Sequence, residues 1–155
     1  MRLIALAFLA CWAGVAQASV ASLQGEECFD VEIVANIAAQ VPSEPPEIGD
    51  GSIIMEWPYF IDLNVERVLK GRLPLRRLTV LSVQHTFFRR DLGSKTWWVR
   101  RNTLGGYNLL RTKGDEKPRR CLAGTPPARA YLEPANGATL EDLRKDGERR
   151  YGSEP

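Results

Sequence analysis

From residue 28 onward the apolar residues fall mostly at every second position. Phe29, Val31, Ile33, Ala35, Ile37, Ala39 and Val41 alternate with Asp30, Glu32, Val34, Asn36, Ala38 and Gln40. Period two sustained over that length predicts a long strand, Phe29 to Val41, with one buried face. Ile33, Val34 and Ile37 would suit a helix, but the β-branched content and the strict alternation favour a strand. Val41 to Ser52 then carries Pro42, Pro45, Pro46, Gly49 and Gly51 with three acids, which predicts an exposed, mobile loop. After a break at Trp57-Pro58, a second strand runs from Phe60 to Leu69, with Ile61, Leu63 and Val65 in phase. Val68 and Leu69 fall out of phase, so a bulge is expected near Glu66-Arg67. Lys70 to Pro74 turns the chain. Leu78 to His85, Thr96 to Arg101 and Tyr107 to Thr112 make three more strands, the last two joined by a tight turn at Leu104-Gly105-Gly106. Lys113 to Ala130 is irregular. Thr139 then caps a short helix near 140–150, with Asp142 three positions on and Leu140, Leu143 and Tyr151 available to pack. Five strands and a late helix predict a mainly β fold, a small closed barrel rather than a sandwich.

The first eighteen residues do not belong to that pattern. Arg2 precedes an apolar run, Leu3 to Ala16, broken only by Gly14, and Ala16-Gln17-Ala18 follows. The run is about fourteen residues, short of the roughly twenty that a spanning helix needs. This is the pattern of a bacterial export signal cleaved after Ala18, which makes the mature protein periplasmic or secreted. The alternatives are an uncleaved anchor and a lipoprotein signal at Cys11, for which Phe8-Leu9-Ala10 is a poor lead-in. No later stretch is long and apolar enough to cross a membrane. The expected organisation is a signal at 1–18, a short lead at 19–27, a barrel at 28–121 and a tail with a helix at 122–155.

Export changes the cysteine arithmetic. Cys11 leaves with the signal, so the mature chain keeps Cys28 and Cys121. An even pair in an oxidising compartment predicts a disulfide joining the start of the barrel to its end. A metal pair or a reactive thiol are the other readings. The single histidine, His85, and the lack of a CxxC or CxxH spacing make metal a poor one.

Over the 155 residues, 44% are hydrophobic and the net charge is +2, enough apolar content for one folded domain and too much for a disordered chain. The charge is unevenly placed. Ser19 to Glu66 contains ten acids and no base, whereas Arg67 to Arg129 contains sixteen bases and three acids. One reading is a basic binding surface; the other is acidic and basic strands that neutralise each other side by side. For an exported protein, anionic envelope ligands or acidic proteins suit a basic surface better than nucleic acid does.

The run Phe60-x-Asp-Leu-x-Val-x-Arg-Val-Leu-Lys-Gly71 resembles the netrin-like domains, the group that includes tissue inhibitors of metalloproteinases. In them a cysteine near the mature N-terminus precedes the first strand, as Cys28 precedes Val31-Glu-Ile-Val-Ala here. The resemblance, over Cys28 to Cys121, implies a five-stranded OB-like barrel that is secreted and acts by binding. Metalloproteinase inhibition does not carry over. It requires a cysteine at the very N-terminus, and Cys28 would stand nine residues inside the mature chain. The family's dense cysteine pattern is also absent.

No Gly-x-Ser-x-Gly elbow, HExxH helix or phosphate loop is present. His85 with Ser82 and Asp91 is the sole loose catalytic grouping, and a histidine at a strand end ordinarily makes a plain hydrogen bond. The expectation is therefore a non-enzymatic binding or inhibitor-like module that needs no cofactor and holds no metal. A small enzyme using His85 and a structural envelope component are the alternatives. In the fourth strand Trp97 and Val99 share one face, Trp98 and Arg100 the other. The apolar pair should face inward, leaving Trp98 and Arg100 exposed, with Arg89 and Arg90 in the preceding connection, as the candidate site for an anionic partner.

Overall fold

The computed structural model describes residues 28–44, 55–112, 116–135 and 137–153. The expected signal at 1–18, the expected lead at 19–27 and most of the Pro-rich loop fall outside the described residues. Within them the chain forms β1 (Cys28–Phe29), β2 (Val31–Pro42), β3 (Trp57–Lys70), β4 (Arg77–Gln84), β5 (Lys95–Arg101), β6 (Tyr107–Leu109), β7 (Arg119–Arg120) and α1 (Leu140–Tyr151). A short 3-10 helix, Arg90–Leu92, lies in the β4–β5 connection.

Five of these strands close a barrel in the order β2-β3-β4-β6-β5. Neighbours are antiparallel except β4 and β6, which meet in parallel where Leu81 faces Asn108. A five-stranded barrel closed by one parallel pair is the OB-type architecture expected of the sequence. β1 and β7 form a small parallel sheet beside it. Cys28 and Cys121, at the ends of these strands, are bonded with an S–S distance of 2.14 Å. Among the described residues no helix is long and apolar enough to cross a membrane.

The barrel interior is filled by the alternating residues of each strand. Val31, Ile33 and Ala35 of β2 meet Tyr59, Ile61, Leu63 and Val65 of β3, Leu78 and Val80 of β4, Trp97 and Val99 of β5, and Leu109 of β6. The expected bulge is present. Ala35 pairs with Val65 and Val34 with Arg67, so Glu66 is the extra residue of β3. This returns Val68 to the core while Leu69 stays outside.

Three local expectations are corrected. The first strand breaks at Asp30, whose N–H turns to the Val99 carbonyl at 2.9 Å, so Phe29 belongs to β1. A further bulge, at Ala38, reverses the phase of β2. Gln40 thereby becomes a buried residue at the barrel mouth, and Val41 joins a separate apolar cluster with Phe60, Leu81 and Ala130. Lastly, β3 begins at Trp57 and runs through Pro58. A proline is tolerated there because it sits at the strand's start, where the missing donor breaks little of the ladder. The Pro58 carbonyl accepts from the Ser43 N–H at 3.0 Å and from Ser43 Oγ at 2.7 Å.

Helix α1 covers that second cluster with Leu140 and Leu143, while Tyr151 is left exposed. Thr139 and Asp142 form the reciprocal cap expected from the sequence, and the same hydrogen bonds hold the Asp142 carboxyl below its ordinary range. Arg144 anchors the helix to Asp62 of β3 at 2.7 Å. The tightest approach is at Gly147, where a Cβ would lie 2.3 Å from the Pro42 carbonyl oxygen. Alanine favours a helix over glycine by about 1 kcal/mol, but forcing a methyl into close-packed backbone costs about 1–3 kcal/mol. Gly147→Ala is expected to be destabilising by about 1 kcal/mol net in urea unfolding, against the gain an exposed helix would show.

Candidate functional site

The two barrel ends differ in chemistry. Because β2 is antiparallel to β3 and β5, one end gathers Val31, Gly71 and Arg101, and the other gathers Pro42, Trp57 and Gln84.

The second end is plugged by aromatic rings. Trp57 stacks on Tyr59 at 5.6 Å between centroids, Phe87 meets Tyr59 edge-on at 5.3 Å, and Phe88 meets Trp97 at 5.3 Å. Buried Gln40 holds the plug in place, its amide donating to the Phe88 carbonyl and accepting from the Phe88 N–H. Lys95 Nζ lies 4.1 Å from the Trp97 ring centroid. Burial lowers the Lys95 pKa and raises that of Tyr59. At the rim Arg111 pairs with Glu56 and holds its carboxyl below the usual carboxylate range.

The first end is open and cationic. A groove of about 850 Å³ runs beside the disulfide, between the turn after β3, the end of β5, β7 and the loop 122–127. Arg72, Arg100, Arg101 and Arg120 line it, with Asp30 and Leu122. Each wall has a local cause. Gly71 stands at φ +85°, and a Cβ there would lie 2.4 Å from the Asp30 carbonyl oxygen, so this turn requires glycine. That close approach brings Arg72 to the groove. Arg101 is held by its own backbone, its N–H donating to Asp30 Oδ2 at 2.7 Å and its carbonyl accepting from Ala128 N–H at 2.9 Å. Next to it, buried Asn102 closes the β5–β6 turn and donates to Asn108, which in turn donates to the Arg129 carbonyl. This chain of amides straps the 128–131 segment to the barrel. Arg120 is set by the register of β7 on β1.

Arg100 has another role. Its Nη1 lies 2.9 Å from both oxygens of Asp30, its Nη2 donates to the Pro126 carbonyl, and the residue is 3% exposed. Asp30 therefore neutralises Arg100 at the floor. Arg72, Arg101 and Arg120 are exposed, and no acid among the described residues pairs with them. By contrast Asp30, Glu32, Glu44, Glu56 and Asp62 each hold a cation from later in the chain. Side-by-side neutralisation thus accounts for five of the six early acids in the described residues, and three of the exposed arginines line this groove.

The expected grouping of Trp98, Arg100, Arg89 and Arg90 is corrected. Trp97 and Val99 do face inward and Trp98 and Arg100 outward, but outward is not exposed. The segment from Lys117 to Ala128 crosses that face. Lys117 reaches Glu32, the residue opposite Trp98, and Pro126 caps Arg100. Trp98 is half-buried, and its Nε1 is enclosed with no acceptor among the described residues. Arg89 is exposed but sits in the connection beside the aromatic plug, paired with Asp91. Arg90 opens the short 3-10 helix in that same connection. Sequence reasoning missed Arg72, Arg101 and Arg120. The signal within reach was the long basic stretch with few acids to neutralise it.

His85 is exposed and hydrogen-bonds the Met55 carbonyl, Ser82 is buried, and Asp91 is held by Arg89. The structure does not bring these three together. No family model, curated protein or solved structure matches this chain.

Proposed function

We propose that this protein is an exported, non-enzymatic binding module of the netrin-like kind, whose arginine-lined groove takes an anionic partner. The groove carries the reading: three exposed guanidinium groups converge on one concavity, with no acid among the described residues paired to them. Guanidinium forks suit carboxylate and phosphate groups, which they bind through two parallel hydrogen bonds. The OB-type barrel, the cysteine bond between its start and its end, and Val68-Leu69-Lys70-Gly71 at the close of β3 support the netrin-like assignment. Export to the periplasm or beyond is supported by the leader pattern and by a disulfide, which belongs to oxidising compartments.

The test is a titration of the purified protein with soluble anions, inorganic phosphate and polyglutamate, at low ionic strength. Arg101→Glu and Arg120→Glu should each weaken binding at least tenfold while the thermal midpoint stays within a few degrees, because both side chains are exposed. Equal affinity in wild type and both variants would place the anion elsewhere and end this reading.

A further inference from the structure

We infer that the groove's partner is the headgroup layer of an anionic phospholipid membrane, met with Leu122 leading; the inference rests on the anion-binding reading above. Two independent observations point there. One is the cationic wall of Arg72, Arg101 and Arg120. The other is Leu122, which lines the same groove and is 83% exposed, the barest of the large apolar side chains in the described residues. Arg120 and Leu122 are two residues apart and both face the groove, so a cation and an apolar tip are presented together. Around Leu122 the loop adds Ala123, Gly124 and Pro127 to the lining and no acid.

The tip is also held in shape. Cys121 ties one end of the loop to Cys28, and the Arg100 guanidinium and the Ala128–Asn102 bridge tie the other. Between them Thr125 returns its N–H and its Oγ1 to the Leu122 carbonyl, at 3.1 and 2.7 Å, with Gly124 at φ +81° completing the turn. Little ordering is therefore left to be lost on docking. A purely anionic partner, such as a polysaccharide or a run of acidic residues, would engage the arginines and leave Leu122 in water. A bilayer surface matches both features, since acyl boundary and headgroup charge lie within about 5–10 Å of each other. Each cation near such a surface strengthens binding about fivefold.

The experiment is co-sedimentation of the purified protein with vesicles of phosphatidylcholine alone and of phosphatidylcholine with phosphatidylglycerol. Binding to the mixed vesicles only, lost when the ionic strength is raised to about 1 M, is expected. Arg120→Glu should weaken it by more than tenfold. Leu122→Ser, which removes no charge and changes a side chain that is 83% exposed, should weaken it severalfold. Arg76→Glu with Arg77→Glu is the control, since both residues are exposed cations outside the groove lining. If that control weakens binding as much as Arg120→Glu, attraction is general and the groove is not the site. If Leu122→Ser binds like wild type, the membrane assignment fails. Soluble phosphate or polyglutamate bound in the groove without any vesicle binding would overturn the lipid but leave the anion site standing. Failure with every anion would overturn both.

Discussion

Trp97→Ala should lower the unfolding free energy by about 3–5 kcal/mol, the range for truncating a large aromatic in a close-packed interior. Trp97 is 5% exposed, and its Nε1 donates to the Ala35 carbonyl at 2.9 Å across the β2–β5 pair. The ring also supports Phe88 and carries the Lys95 ammonium. Truncation therefore opens a void, strands a buried carbonyl and loosens the plug together. Trp98→Ala, one residue on, should cost less, about 1–2 kcal/mol, because that ring is half-buried and its Nε1 has no acceptor to lose among the described residues. Urea unfolding of the two variants, with wild type as reference, decides the matter. A loss at Trp98 equal to that at Trp97 would mean that the outer layer is a full second core.

The strands and their closure were legible because period-two alternation reports a face directly. The Glu66 bulge was legible for the same reason, since two apolar residues in the wrong phase demand an extra one. The Ala38 bulge was not. Ala39 and Val41 continue the alternation by residue type, and alanine is small enough to suit either face. Gln40 reveals the reversal only through its partner, the Phe88 backbone, which is forty-eight residues away in sequence. The cap of α1 could be read locally, whereas the need for glycine at 147 arises from Pro42 across the fold.

The site was less legible, and Arg100 shows why. Alternation assigns it correctly to the outside of the barrel. It cannot say that Lys117 to Ala128 passes over that side and that Asp30 waits beneath. An ion pair of that sequence separation has no local signature. The same crossing segment creates the groove, because Arg120 and Leu122 come from it while Arg72 and Arg101 come from the barrel. Composition left open whether the bases would form a cationic surface or be neutralised side by side by the early acids. The position of such a surface depended on which arginines the early acids would neutralise, and that is settled by pairing across the fold.

Replacing both cysteines, Cys28→Ser with Cys121→Ser, should lower stability by about 2–5 kcal/mol. The bond spans a sequence separation of 93, and closing a loop of that size in the unfolded chain is worth about 4.7 kcal/mol as an upper figure. Its local effect should exceed its global one. β1 and β7 are two residues each, and apart from the bond they are joined to each other by a short parallel ladder and the Cys121 N–H to the Phe29 carbonyl at 2.9 Å. β1 is also seated on the barrel by the buried Phe29 ring, whereas β7 is exposed. Without the disulfide that pair should open first, carrying Arg120 and Leu122 away from Arg72 and Arg101. The barrel closes through β4–β6 and β2–β5 and does not include β1 or β7, so it should persist. The expected result is a lower denaturation midpoint with the barrel's strand signal kept, together with anion binding reduced about as far as in Arg120→Glu. Hydrogen exchange would follow it residue by residue: the amides of Phe29 and Cys121 should lose protection while those of Ile33 and Ile61 keep theirs. Equal loss of protection at all four would show that the disulfide holds the whole barrel, and that the groove is no separately opening unit.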